Sequence, residues 1–447
     1  MMAHIDEEML VSVAELGADQ DTYPHLDECD DCRASVEQYR AVVLSLADEA
    51  TWDLHALDET PNPQTIANLR AYVEQMQRED AEAEPLVAEL LAGPREEWMP
   101  RLMADEKYRT AGVVRKLIAA TDRAIDTMPP DAVEITKLAC DIADKLDSAG
   151  YPVRALLRLR GATHLDLAYS LFYVGSIGDA ARASFDARAL FEAAGGSEFE
   201  IARVDLTLAQ ISRASDNIGD GLRLVESARE QFDFFQDSRR VAIALATKAY
   251  LLSKANNFSE ARRLWTDVVT GHSDVLDDAF RADLLLNIGF CSRELGDLEH
   301  ALEMFKNAAF VFETLQIPSR IVRARYNVAA VLSAGGRLDA AASEFIGVTQ
   351  ELERLGMFGT AAVALLDLVE VRIAQERYQD VKPICQEVLG HLERSGLSGS
   401  SRAFRALALL RDAATHERVS ATLVQNVRMT VREESKHLPQ IQLLQVL

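Results

Sequence analysis

A period of 40 residues, running from about Gly161 to the C-terminus, constrains this chain more than any other feature. Small residues recur at Ala181, Gly221, Ala261, Ala301, Ala341 and Val381, and a bulkier one follows four positions after each, at Phe185, Val225, Trp265, Phe305, Phe345 and Cys385. A second small column lies twelve residues before the first, at Ala209, Ala249, Gly289, Ala329 and Val369. Two helices that pack closely need small side chains where their axes approach, with a large one nearby to fill the gap against the next hairpin. Between the columns lie turns such as Asn256-Asn257-Phe258-Ser259-Glu260 and Leu295-Gly296-Asp297-Leu298-Glu299, where Asn or Gly ends one helix and an acid opens the next. The pattern predicts six helix pairs from about 161 to 397. Helices at about 131–149 and 153–160 precede them, and a degenerate pair from Ser401 to Glu434 closes the stack.

A small residue in the first helix, Ala twelve positions later and an aromatic four beyond that is the tetratricopeptide-repeat signature. Asn287-Ile288-Gly289-Phe290 followed by Gly296-Asp297-Leu298-Glu299-His300-Ala301 resembles it. The period exceeds the usual one of about 34, so the helices or the turns are longer than consensus. The resemblance implies an α-solenoid whose first helices line a concave face. The register places Gln210, Tyr250 and Phe290 just after the small column and Arg213 and Arg293 three residues further, with Arg203 and Arg323 one or two turns earlier. Arginines on one face of so acidic a protein are expected to receive an acidic or extended peptide through paired hydrogen bonds. The bland reading is solvation or internal salt bridges.

The N-terminal stretch Tyr23-Pro24-His25-Leu26-Asp27-Glu28-Cys29-Asp30-Asp31-Cys32-Arg33 holds His25-x3-Cys29-x2-Cys32, three metal ligands within one compact turn. A tetrahedral zinc site needs a fourth ligand; His4 is the natural candidate, ahead of Asp6, Asp27 and His55. Over roughly residues 1–80 the pattern resembles the zinc-binding anti-sigma domain of bacteria, which has an early His, then His-x3-Cys-x2-Cys leading into a long helix. That resemblance makes His4, His25, Cys29 and Cys32 the ligand set, with zinc as the cofactor and a sigma factor as the partner. Gly17–Pro24 departs from the family pattern in being polar and broken by Gly and Pro, so the helix before His25 is short or starts late. Partner contact is expected from apolar residues on the helix after Cys32, namely Val36, Tyr39, Val43 and Leu46, and from the later helix around Leu69, Tyr72 and Met76.

The expected fold class is all-α, a small zinc-binding helical module joined to an α-solenoid of hairpins. Five regions are expected: a zinc module at 1–57, a helix and linker at 58–85, a helical adaptor at 86–160, the repeats at 161–397, and a degenerate repeat with C-terminal cap at 398–447. A formal net charge of −24, from 71 acidic and 47 basic residues, argues against direct binding of nucleic acid or anionic membrane and favours a basic protein partner. Cys140, Cys291 and Cys385 lie in apolar helical patterns and do not form a disulfide framework, which fits a reducing compartment. No uncharged apolar run approaches the roughly 18 to 20 residues that span a bilayer, so a cytoplasmic location is expected. No phosphate-binding Gly-Lys loop, dinucleotide Gly pattern, Gly-x-Ser-x-Gly elbow or His-Glu-x-x-His helix occurs, so no enzymatic role is expected.

Two functions follow as alternatives. One is a zinc-binding regulator that sequesters a sigma factor while its repeats receive a second protein or peptide signal; the other is an interaction scaffold whose zinc only staples a cap. Both require the metal. Protein purified without chelator is expected to carry one zinc per chain, measured by elemental analysis, and a Cys29→Ser, Cys32→Ser variant to carry none. Less than about half an equivalent in the unaltered chain would remove the site.

Overall fold

Connections of three residues between long helices set the architecture. The computed structural model describes residues 29, 33–37, 63–125, 128–213, 217–395, 403, 407–408, 410–412 and 420–434, and every element among them is helical. The chain divides into two compact units, Met1–Glu79 and Asp80–Leu447.

Little of the first unit is described. A short helix covers residues 33–37, opened by the Arg33 amide donating to the Cys29 carbonyl at 3.1 Å, and Val36 on it is only 6% exposed. Helix α1, Pro63–Ala92, runs unbroken through Pro85, so the charged stretch Arg78–Pro85 is helix interior and not a linker.

In the second unit α2 (Arg95–Ala104), α3 (Ala111–Ala124) and α4 (Pro129–Lys145) precede the repeats. Their core gathers Val87, Leu90, Trp98, Leu102, Leu117 and Ile142. Six helix pairs follow: α5 (Val153–Tyr173) with α6 (Ile177–Ala194), α7 (Glu198–Ser212) with α8 (Ile218–Phe234), and α9 (Ser238–Lys254) with α10 (Phe258–Gly271). The array continues with α11 (Asp278–Glu294) and α12 (Leu298–Thr314), α13 (Pro318–Ala334) and α14 (Leu338–Arg354), and α15 (Phe358–Ala374) and α16 (Val381–Arg394). Helix α17, Ala421–Glu434, packs against α15. The expected break near residue 160 is absent, because α5 is one helix of 21 residues. Among the described residues no helix is long and apolar enough to cross a membrane.

From α11 to α15 each helix has 17 residues, so the excess over the usual repeat sits in the helices and not in the turns. Gly296, Gln316, Gly336, Gly356 and Glu376 at the turn centres all take left-handed φ values, between 55° and 81°. The next amide then reaches back into the preceding helix, as from Asp297 to the Ser292 carbonyl at 2.8 Å and from Arg337 to the Leu332 carbonyl at 2.9 Å. This satisfies carbonyls that the helix end would leave unpaired. Asp237, Asn257 and Asp297 then cap the following helix through their side chains.

The two small columns do what their spacing predicts from Gly221 onward. Ala261, Ala301 and Ala341 are fully buried, as are Ala209, Ala249 and Ala329. At Gly289 an added Cβ would sit 2.7 Å from the Phe305 ring, so the aromatic of one helix lies directly on the backbone of its partner. The first pair departs from the strict period. Its buried positions are Ala180, Ser184 and Phe191, while Ala181 is half-buried and Phe185 is 59% exposed. The cause is one extra residue in α6, which has 18 residues against 17 in α8, ahead of a three-residue connection in which Gly195 and Gly196 both take left-handed φ values (66° and 58°). Arg154 secures it by donating from Nε to the Ala194 carbonyl at 2.8 Å and from Nη2 to the Gly195 carbonyl at 2.9 Å.

The close approach at Gly289 carries a test. Gly289→Ala is expected to destabilise the chain by about 1 to 3 kcal/mol through overpacking against the fully buried Phe305. Gly219→Ala, where nothing lies within 4 Å of the new Cβ, is expected to be neutral or to stabilise by up to about 1 kcal/mol. Equal denaturation midpoints would show that the crossing is not tight.

Candidate functional site

The first helices of the pairs carry one recurring row, the one that the repeat pattern assigns to the concave face. Gln210, Tyr250, Phe290, Ala330 and Glu370 recur at the 40-residue step, each directly after its small-column residue, and all but Tyr250 are half-buried. Arg213, Arg293 and Ile373 follow three residues later and are half-buried as well.

Arg213 is the outlier among the four arginines of this face. Its guanidinium lies 3.9 Å from the centre of the Tyr250 ring and 5.8 Å from that of Phe172. Tyr169 and Tyr173, whose hydroxyls are 3.4 Å apart, complete an aromatic cradle. Burial holds the Arg213 pKa below the usual arginine range; the groups that oppose this are the tyrosines, not a carboxylate. Its Nε is buried without a hydrogen-bond partner. A buried cation held by ring faces and a tyrosine hydroxyl is incompletely compensated, since cation–π attraction recovers about 0.5 to 2 kcal/mol where desolvation costs several.

The other three arginines meet acids. Arg323 Nη2 donates to Asp283 Oδ1 at 2.8 Å while Arg320 approaches the other oxygen at 2.8 Å, so Arg323 is committed to its own array. Burial nevertheless pushes the Asp283 carboxyl up, against the pull of both cations. Arg293 pairs with Glu294 at 2.8 Å and covers the Phe290 ring, itself edge-on to Phe258. Arg203 acts on two carboxylates, Asp122 of α3 and Asp166 of α5. Burial pushes Asp166 up to about 7, Arg203 pulls it down and Asp122 pushes it up further. Asp166 keeps part of its surface open, as a group on the floor of a groove does.

Of the proposed zinc ligands Cys29 alone is among the described residues, where it is half-buried; His4, His25 and Cys32 lie outside them, as do Tyr39, Val43 and Leu46. Val36 is buried. Burial raises the thiols of Cys140, Cys291 and Cys385 to about 11, so they are unreactive packing residues. Glu353, Glu387 and His391 converge closely enough to hold a cation. The imidazole is oriented against that role, because Arg394 donates to its Nδ1 at 2.8 Å and so leaves the proton on Nε2, the nitrogen 3.1 Å from Glu353.

Sequence reasoning missed Tyr169, Phe172, Asp122 and Asp166. With the one-residue offset of the first pair, Ala168 corresponds to Ala209, Tyr169 to Gln210 and Phe172 to Arg213. A strict step of 40 puts Tyr169 in the small column and hides it.

No protein-family model matches the chain, and no curated protein matches it in sequence. Among solved structures, a signal-transduction ATPase with numerous domains from Pyrococcus horikoshii, which carries a tetratricopeptide repeat sensor, is similar with a TM-score of 0.51 at 12% identity, over 97% of this chain and 73% of that one. Aspartyl phosphate phosphatase F from Bacillus subtilis gives a TM-score of 0.46 at 14% identity, over 100% and 98%. The first likeness establishes the fold as a solenoid of tetratricopeptide-like hairpins.

The Asp166 carboxyl sets a pH dependence. A folded-state pKa near 7 against 3.8 for the free group means that its contribution is fully present below pH 4 and lost as pH rises through 7. Asp166→Asn, which imitates the neutral acid, is expected to stabilise by about 1 to 3 kcal/mol at pH 8 and to have no effect near pH 4. Urea midpoints at the two pH values check this; a variant less stable at pH 8 would show that Asp166 is held charged by Arg203.

Proposed function

We propose that the chain is a protein-interaction scaffold whose concave face takes an extended segment of a partner protein, with a carboxylate of that segment seated on Arg213. The observation that carries this reading is the Arg213 cradle: a desolvated guanidinium on Tyr250 with no carboxylate acting on it among the described residues, although acidic residues outnumber basic ones 71 to 47. A planar guanidinium pre-oriented by a ring is suited to a bidentate carboxylate. Repeat solenoids use extended concave surfaces of this kind for binding. The net charge of −24 narrows the partner further. A uniformly acidic segment would be repelled, so the ligand is a neutral or basic segment with a single carboxylate, of a side chain or a C-terminus.

The N-terminal donor set supports a second reading for the other unit. Two thiolates and two imidazoles suit zinc, and a helix begins at Arg33, whose amide donates to the Cys29 carbonyl. In this reading His4, His25, Cys29 and Cys32 hold zinc, and the module they organise sequesters a basic sigma factor. The same cysteine double variant tests it, since a sigma factor that co-purifies with the unaltered chain must be lost from the variant.

For the concave face the measurement is a selection of random peptides on the full chain. It is expected to return sequences with one carboxylate at a fixed position. Arg213→Gln should weaken them tenfold to a hundredfold, about 1.4 to 2.8 kcal/mol. Arg223→Gln, an exposed residue paired with Asp220, should leave them unchanged. Equal affinity for the Arg213→Gln chain would sink the proposal.

A further inference from the structure

Helix α17 lies on the same concave row at its far end. Arg428 on it pairs through Nη1 with Asp367 and stands 3.5 Å from Glu370, the residue of α15 in register with Gln210, Tyr250, Phe290 and Ala330. Tyr326 of α13 donates its hydroxyl to the other oxygen of Asp367. Val424, Val427 and Val431 form a single buried stripe beside Arg428, while Gln425, Asn426 and Met429 on the opposite side are exposed. Among the described residues, the valine stripe, the half-buried Leu423 and the Arg428 guanidinium hold a helix of 14 residues, a length that is marginal in isolation.

The acids beneath it are more firmly built than the helix above. Asp367 is buried on α15, and the Tyr326 hydroxyl fixes one of its oxygens whatever occupies the other. Burial raises the Asp367 carboxyl against the pull of Arg428, so its ionised form depends on a cation opposite it, and an incoming guanidinium at a vacated site would compete with a proton. Asp283 shows the same demand met permanently, by Arg320 and Arg323 from the next first helix of the array. At Asp367 the cation comes instead from 61 residues along the chain.

We propose that the C-terminal end of the groove is a docking site for a basic amphipathic helix of a partner protein, bearing an arginine beside an apolar stripe, and that α17 covers this site in exchange with it. The proposal rests on the concave-face reading above and adds a second partner chemistry at the opposite end. Two acids and a phenol select a guanidinium, and the net charge of −24 attracts a basic helix. The apolar partner residues fall four and one positions before the arginine and three after it, as Val424, Val427 and Val431 do.

The test uses the full chain and a labelled synthetic peptide of residues 420–434. An Arg428→Ala chain, whose own helix is held less tightly, is expected to bind the peptide at least about tenfold more tightly than the unaltered chain. A peptide carrying Arg428→Ala is expected to bind neither. Equal affinity of the two chains, with helical content retained, overturns the proposal. Hydrogen exchange on the unaltered chain decides the matter if the variant does not fold: α17 amides are expected to exchange at least about tenfold faster than those of α15, and equal protection makes α17 a permanent cap. A dimer formed by swapping α17 also overturns it, because the occupant would then be a second copy. Arg213→Gln is expected to leave affinity for this peptide unchanged, so failure here stands apart from failure of the carboxylate site.

Discussion

Everything in the repeat array depends on how closely one helix of a pair can approach the other. The Phe305 ring lies on the backbone of Gly289, and the Phe191 ring does the same to Gly161 in the first pair. Such contacts fix the depth at which second-helix residues enter the core. That depth in turn decides which residues of the first helix are left on the concave side. Ala209, Ala249 and Ala329 are buried by the crossing, so the residues one position later come to line the groove. The face proposed for binding is thus a by-product of close packing, fixed by side chains that lie away from it.

Much of this was legible because the physics is periodic. A helix pair cannot cover its own apolar faces, so each unit must repeat the same small and large residues at the same interval. The last five pairs and the columns from Gly221 onward could be read from spacing alone. The first pair could not be read in register, since one extra residue in α6 moves α5 and α6 out of step and brings Tyr169 to the Arg213 cradle. The charge partners were illegible for a different reason. Asp367 with Arg428 and Asp283 with Arg323 are joined by tertiary position, and no local pattern distinguishes an arginine that will find an acid from one that will find a ring. The zinc motif stands at the other extreme, readable as ligand spacing, with three of its four residues outside the described part of the chain.

The groove therefore carries two opposite electrostatic problems. Toward its start a cation is desolvated among aromatics; toward its end two acids are covered by an arginine from a distant helix. Charge buried without compensation disfavours the empty state more than it stabilises any filled one, so such sites discriminate between ligands better than they bind them. In the proposed reading, an array with opposite demands at its two ends would also fix the direction in which an extended partner lies.

The uniform turns have an evolutionary consequence. Because helices of equal length alternate with three-residue connections, the array behaves as a one-dimensional lattice in which each unit touches only its neighbours. Duplicating or excising 40 residues anywhere between α9 and α16 would preserve the kind of interface on each side of the cut, whereas a change of half that length would set a first helix against another first helix. Gene rearrangement can therefore lengthen or shorten the groove in whole steps while leaving its two ends chemically intact.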